Sequence, residues 1–229
     1  MQSVQKLPPP DPLSRALAEC AEGGETPLLL LRHGRTRANV ERRFVGCMDV
    51  PLDEVGRDQA EAVCRRLRSL PRAALYSSPL SRAAQTAEPL GPPRLLPALQ
   101  ELDQGDFEGL LAQEVVPDNP EIFTAWAIDP TDVRVPGGET LRELAARVIP
   151  ALEDLGRRHG PGVPVVIVTH QMALAVAVLT AVGLPFRFLP YVRQPNTALS
   201  LLGWSESGLR VHRLNDHAHL ADPTLPLGS

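Results

Sequence analysis

Three places along this chain join a reactive side chain to the end of an apolar run. Pro27-Leu28-Leu29-Leu30-Leu31 leads into Arg32-His33-Gly34, Val163–Thr169 leads into His170, and Ala73–Tyr76 leads into Ser77-Ser78, just ahead of Arg82. Unbroken aliphatic runs of this length read as strands buried on both faces. In an open sheet of parallel strands, ligands bind beyond the carboxyl ends. An imidazole there offers a nitrogen lone pair near neutral pH, and a guanidinium offers a planar fork for phosphate oxygens. Gly34 lets backbone come close to a ligand. Taken singly, each feature also has a plain structural reading. Arg32-His33-Gly34 fits a surface turn, Arg82 an exposed helix arginine, His170 a hydrogen-bonded core histidine and Asn39 a turn residue.

The elements that would position these residues alternate between strand and helix. Asp53 is placed to cap a helix running to about Arg68, with Ala60, Val63, Cys64 and Leu67 on one stripe. Ser78 and Pro79 resemble an N-cap and first helical residue, and that helix should end near Glu88. A long helix is expected from Thr140 to Arg158 and an apolar one over Met172–Val182. A hairpin is expected from Thr197–Trp204 and Leu209–Leu214. The implied fold class is α/β, a three-layer α/β/α sandwich with a mostly parallel sheet and a small cap insertion at about 105–135. Residues 1–26, with the run Pro8-Pro9-Pro10, read as an N-terminal extension holding at most a short helix over Leu13–Ala21. Residues 27–220 form the domain, and 221–229 a loose tail.

Composition narrows the function. Among 229 residues, 43% are hydrophobic but only 4% aromatic, so the core is aliphatic. A net charge of -4 argues against a general nucleic-acid binder. Lys6 is the only lysine, so the abundance of arginine carries no argument for phosphate by itself. Cys20, Cys47 and Cys64 match no zinc or redox spacing, and buried thiols in a reducing cytoplasm are the default. No signal peptide or membrane span is visible. His212, His217 and His219 read as solvated tail histidines rather than metal ligands.

At this point the blocks resemble the histidine phosphatase superfamily, also called the phosphoglycerate mutase-like family. The resemblance begins with Leu31-Arg32-His33-Gly34-Arg35-Thr36-Arg37-Ala38-Asn39 and continues through Arg43-Phe44 and Gly46. It reappears in Tyr76–Ala87, Leu99-Gln100-Glu101, Gly105–Gly109 and Pro136-Gly137-Gly138-Glu139-Thr140. It closes with Val165–His170 and Asn196–Ser200. The resemblance implies that His33 accepts the phosphoryl group as phosphohistidine. Arg32, Arg82 and a protonated His170 would surround the phosphate, Asn39 would complete the cradle, and Thr36, Gly46 and Gln171 would lie on the substrate side. Glu101 would give a proton to the leaving oxygen, in competition with Asp103, Asp106 and Glu108. Glu108 reads as a cap or turn residue, and Glu139 as a helix N-terminal carboxylate. Two guanidiniums in place of a metal imply no cofactor and no metal ion.

One position departs from the pattern: Gln171 stands where the family commonly has glycine, which bears on the substrate pocket rather than on His170. The cap segment from Leu111 to Val133 holds no lysine or arginine, but has Glu114, Asp118, Glu121, Asp129 and Asp132 beside Ile122, Phe123 and Trp126. Such a cap suits a phosphomonoester with a neutral or apolar leaving group, and a phosphatase releasing inorganic phosphate is expected. The alternatives are a mutase, which must hold a second anion, and a catalytically silent phosphate-binding module. A cytoplasmic protein with no nucleic-acid or membrane partner is expected, its oligomeric state, homodimer included, left open.

Overall fold

Thr26–Arg32, strand β1, is buried at all seven positions. Successive side chains of a strand point to opposite faces, and β1 divides its leucines accordingly. Leu28 and Leu30 enter one core, Leu29 and Leu31 the other. The protein, described over residues 11–220 by a computed structural model, therefore has helices on both sides of one sheet.

In chain order the other elements are helices α1 (Pro12–Glu22), α2 (Arg37–Glu41) and α3 (Glu54–Leu67), strand β2 (Ala74–Ser77), helix α4 (Ser81–Ala87) and strand β3 (Arg94–Leu95). Then come α5 (Ala112–Val115), α6 (Pro120–Ile128), α7 (Leu141–His159), β4 (Val165–Thr169), α8 (Gln171–Ala181), β5 (Leu199–Ser205) and β6 (Gly208–Asp216). The sheet order is β3-β2-β4-β1-β5-β6. Pairings β1–β4, β4–β2 and β2–β3 are parallel, whereas β5 and β6 add an antiparallel hairpin at one edge. The register sets Arg32 opposite Thr169 and Ser77 opposite Val168. His33, Ser78 and His170 consequently leave the sheet at the same end. The expected α/β/α sandwich is the observed architecture.

Helices α7 and α8 cover one face, with Leu144, Val148, Leu152 and Leu155 of α7 at helical spacing against Leu28, Val165 and Ile167. Thr140 and Glu143 form a reciprocal capping box at the start of α7. At Gly156 a Cβ would stand 2.4 Å from the Trp204 ring, so a bare backbone is what lets α7 lie on β5. Helix α8 is buried and apolar all round, as expected of a helix between a sheet and its neighbours. On the other face, α3 and α4 pack Val63, Leu67, Ala83 and Ala87 against Leu29, Leu31 and Val168.

Two expectations are corrected. The segment ahead of β1 is not an appendage over its described part. Leu13, Ala16, Leu17 and Cys20 of α1 are buried in the same core as Leu29 and Leu31, and Thr26 already belongs to β1. The spacing of those four residues is that of an amphipathic helix, which wins over the proline run before it. Residues 1–10 and the expected loose tail, 221–229, lie outside the described residues. Helix α4 begins at Ser81 rather than Pro79, because Asp49 takes the Ser81 amide at 2.7 Å and its hydroxyl at 2.7 Å.

The place of α1 can be checked by Leu13→Ala, which should cost about 2–4 kcal/mol of unfolding free energy in urea, as for a buried leucine. An unchanged urea midpoint would return α1 to the role of an appendage.

Candidate active site

The carboxyl ends of β1, β2 and β4 open into a cavity of about 230 Å³. Arg32, His33, Thr36, Asn39, Gly46, Arg82, Glu101 and Gln171 all line it. His170 is fully buried behind them, its ring centroid 5.1 Å from that of His33 at an interplanar angle of 56°.

The His33 ring is oriented by its own backbone. Nδ1 lies 2.7 Å from the carbonyl of Gly34. A carbonyl only accepts, so Nδ1 carries the proton and Nε2 keeps the lone pair. The main chain around it is tied down by the His33 amide on the Thr169 carbonyl at 2.9 Å and by Asn196 Nδ2 on the His33 carbonyl at 3.0 Å. Thr197, at φ 55° in the left-handed region, donates its amide to the Arg32 carbonyl at 3.1 Å. Gly34 serves a different end from the one expected. A Cβ there would stand 2.5 Å from the Gly56 carbonyl, so this glycine admits α3 rather than a ligand.

Both guanidiniums are held by carbonyl dipoles. Arg32 donates to the carbonyl of Gln194, and Arg82 donates to those of Gly46 at 2.7 Å and Met48 at 2.9 Å. The left-handed Gly46 (φ 50°) supplies that carbonyl where a Cβ would strike Glu108 at 2.1 Å. Neither arginine has a carboxylate within ion-pair distance among the described residues. Arg32 Nε and His170 Nδ1 are buried without a protein partner.

Electrostatics follow from this crowding. Burial, then the charges of Arg82 and Arg32, hold the His33 imidazole well below the ordinary histidine value, against the opposing bond to Gly34. Burial and then Arg82 do the same to His170. The neutral ring is therefore favoured at position 170 in the free site, and the expected imidazolium concerns the site with phosphate bound. Its Nε2 lies 2.7 Å from Ser78 Oγ. Burial lowers Arg32 to about 10, which leaves it charged at neutral pH.

Glu101 places its carboxylate at the start of α8, where Met172 N donates to its two oxygens at 3.1 and 3.2 Å, with Leu102 N at 2.8 Å. Of its competitors, Asp103 accepts the Gly105 amide at 2.8 Å, and neither Asp103 nor Asp106 nor Glu108 lines the cavity. Glu108 accepts the Cys47 amide at 2.5 Å, as a turn residue does. Asn39 and Thr36 bond to each other in a capping box on α2, which fixes their positions beside His33. Glu139 does not cap α7; it pairs with Arg147 at 2.8 Å. Phe44, Phe107, Ile122, Phe123 and Trp126 give the same cavity an apolar part of its lining.

Sequence reasoning missed Ser78 as the partner of His170, Asn196 as a support for His33, and Arg147. It also missed Arg43 in the cavity wall, although a basic residue beside the motif was a usable signal. The late histidines are half-buried and each has a hydrogen-bond partner, His217 the carbonyl of Asn215 at 2.7 Å. His212 bonds Glu25 at 2.5 Å, and His219, lowered to about 4 chiefly by burial, faces Thr197 Oγ1 at 3.2 Å. Cys20, Glu25 and His212 are the one group of metal-type donors that converges among the described residues, within 4.8 Å of one another. They sit at the opposite end of β1, and Glu25 is already engaged by His212 and Arg210.

The chain's residues 28–217 match the model of the histidine phosphatase superfamily, branch 1. The chain belongs to that superfamily. It is 38% identical over 151 residues to phosphoglycerate mutase-like protein 4 of Arabidopsis thaliana, covering 62% of this chain and 65% of that protein. It is 29% identical over 200 residues to phosphoserine phosphatase 1 of Hydrogenobacter thermophilus, covering 85% and 94%. Among solved structures, Bacillus stearothermophilus YhfR superposes with a TM-score of 0.79 at 30% identity, covering 85% of this chain and 98% of that one.

The buried imidazoles make a stability prediction. Below the ordinary histidine value the unfolded chain takes up protons that His33, His170 and His219 refuse in the fold, so stability is lost as pH falls from about 6.5. The thermal midpoint should drop between pH 7.5 and 5.5, and His219→Gln should make that drop shallower. An identical slope in the variant would contradict the assignment.

Proposed function

We propose that this chain is a phosphomonoester hydrolase that forms phosphohistidine at His33 and needs no metal ion. The observation that carries the reading is the pair of buried guanidiniums, held by carbonyls and without a carboxylate in ion-pair contact, lining one cavity with an imidazole whose Nδ1 is engaged by Gly34 and whose Nε2 keeps its lone pair.

In this reading Arg32 and Arg82 bind the phosphoryl oxygens and meet the charge that a loose transition state spreads over them. His33 Nε2 attacks phosphorus while the ester P–O bond breaks, and Glu101, which enters this step as the carboxylic acid, gives its proton to the leaving oxygen. Glu101, now a carboxylate, then takes a proton from water. That water's oxygen attacks phosphorus, the P–N bond breaks, and phosphate leaves with His33 neutral again. His170 takes its share by hydrogen bonding through Nδ1, and an arriving dianion favours its protonated form. Asn39, Thr36 and Gly46 shape the cradle, and Gln171 borders the leaving group.

The apolar wall supports a neutral or apolar leaving group on a small phosphorylated metabolite. A mutase needs a cation for a second anionic group. Arg43 is the remaining cation in the wall, and it is spent on Glu41 at 2.6 Å and the Gly109 carbonyl at 2.8 Å. A cytoplasmic setting fits the three free thiols and the lack, among the described residues, of any helix long and apolar enough to cross a membrane.

A panel of phosphomonoesters with excess chelator tests this. Aryl phosphate hydrolysis should persist with chelator, exceed phosphoglycerate interconversion, and fall by at least about 10³-fold in His33→Ala. Activity that requires added metal, or that survives in the variant, would reject the mechanism; faster interconversion would make the chain a mutase.

A further inference from the structure

The loop that carries Glu101 has little regular structure of its own, yet four consecutive carbonyls in it are taken by side-chain donors. Arg147, on α7, donates Nη1 to Ala98 at 3.0 Å and to Gln100 at 2.8 Å, and Nη2 to Glu101 at 2.7 Å. Thr169, at the end of β4, donates to Leu99 at 2.7 Å. The same guanidinium forks onto Glu139, with Nε and Nη2 each 2.8 Å from a carboxylate oxygen. Glu139 in turn holds the far side of the loop. Its amide donates to the Asp103 carbonyl at 3.0 Å, and its Oε2 accepts the Asp103 amide at 3.4 Å. Glu101 is thus gripped on both flanks by one ion pair while its carboxylate rests against α8.

We propose that Arg147 and Glu139 are positioning residues for the proton donor, acting through the main chain on either side of Glu101. The proposal rests on the reading of Glu101 as the acid. A guanidinium suits the task because its fork can meet a carboxylate and several carbonyls at once, which an ammonium cannot. Neither residue touches the cavity, so neither binds substrate. The Arg147 charge is also felt at His170, but Arg147→Lys keeps that charge, so the contacts to the loop act on where the carboxyl group stands when the ester bond breaks, and displacement of about 1 Å at such a group is costly.

Leaving groups separate this role from a merely structural one. An alkoxide departs only when protonated, whereas a dinitrophenolate departs without help. The ratio kcat/KM reports steps up to phosphoryl transfer, so it excludes the later hydrolysis in which Glu101 acts as base. In Arg147→Lys and in Glu139→Gln, kcat/KM for an alkyl phosphate should fall about 10- to 100-fold, that for 2,4-dinitrophenyl phosphate less than about threefold, with inhibition by inorganic phosphate unchanged. Glu101→Gln should show the same selectivity with a larger loss, and the double variant Glu101→Gln/Arg147→Lys should add little to it. Equal losses for both esters, or no loss for either, would overturn the positioning role while leaving the reading of Glu101 intact. Absence of selectivity in Glu101→Gln itself would remove the premise and the proposal with it.

Discussion

Two guanidiniums are buried at one end of this sheet with no carboxylate in ion-pair contact among the described residues, although the charge of Glu101 acts on both from the same cavity. Burying an unpaired charge is among the costliest things a fold does, and here carbonyl oxygens meet only part of that cost. Arg82 leans on Gly46 and Met48, Arg32 on Gln194. Carbonyl dipoles hold a cation in place without cancelling its charge, so the charge stays available to an anion. Burial and these charges push the neighbouring imidazoles toward the neutral form, which is the form the proposed roles of nucleophile and hydrogen-bonding partner start from. Nearly every other feature of the site supports this arrangement, from the left-handed Gly46 to the strained Thr197.

The fold supplies rigidity for the same purpose. Three parallel strands buried on both faces end together, and their last residues carry the reactive groups. What the strands cannot position directly is brought in by loops tied to neighbours. The Gly46–Met48 segment is held to the 101–108 loop through Glu108, and that loop is held to α7 through Arg147 and Glu139. The cap adds an apolar wall, with Phe107 and Phe123 stacked at 5.9 Å.

Much of this was legible in the residues. Aliphatic runs ending in histidine located the strands and their functional ends, and Asp53 and Thr140 marked the helix starts where side-chain oxygens do meet backbone amides. The residues that escaped notice work through tertiary contacts that no local pattern encodes. Arg147 looks like any arginine on an amphipathic helix until its carbonyl partners, 46 to 49 residues away, are seen. Ser78 resembles a cap, and its hydroxyl oxygen does take the Leu80 amide at 3.3 Å, but its contact with His170 at 2.7 Å is tertiary and has no local signal. The free-site preference of His170 for the neutral form is not legible in sequence, because burial and neighbouring charge appear only once the four groups are assembled. The packing of the first helix is less legible for a different reason, since the proline run ahead of it argues for irregular backbone while its apolar stripe is only four residues, Leu13, Ala16, Leu17 and Cys20.

The most direct measurement is the site of covalent phosphate during turnover. Rapid quenching with an aryl phosphate under base, followed by mass spectrometry of the peptides, should place an acid-labile, base-stable phosphoryl group on His33. Phosphate on any other side chain, or turnover with no covalent phosphate under conditions where its hydrolysis is slow, would contradict the account.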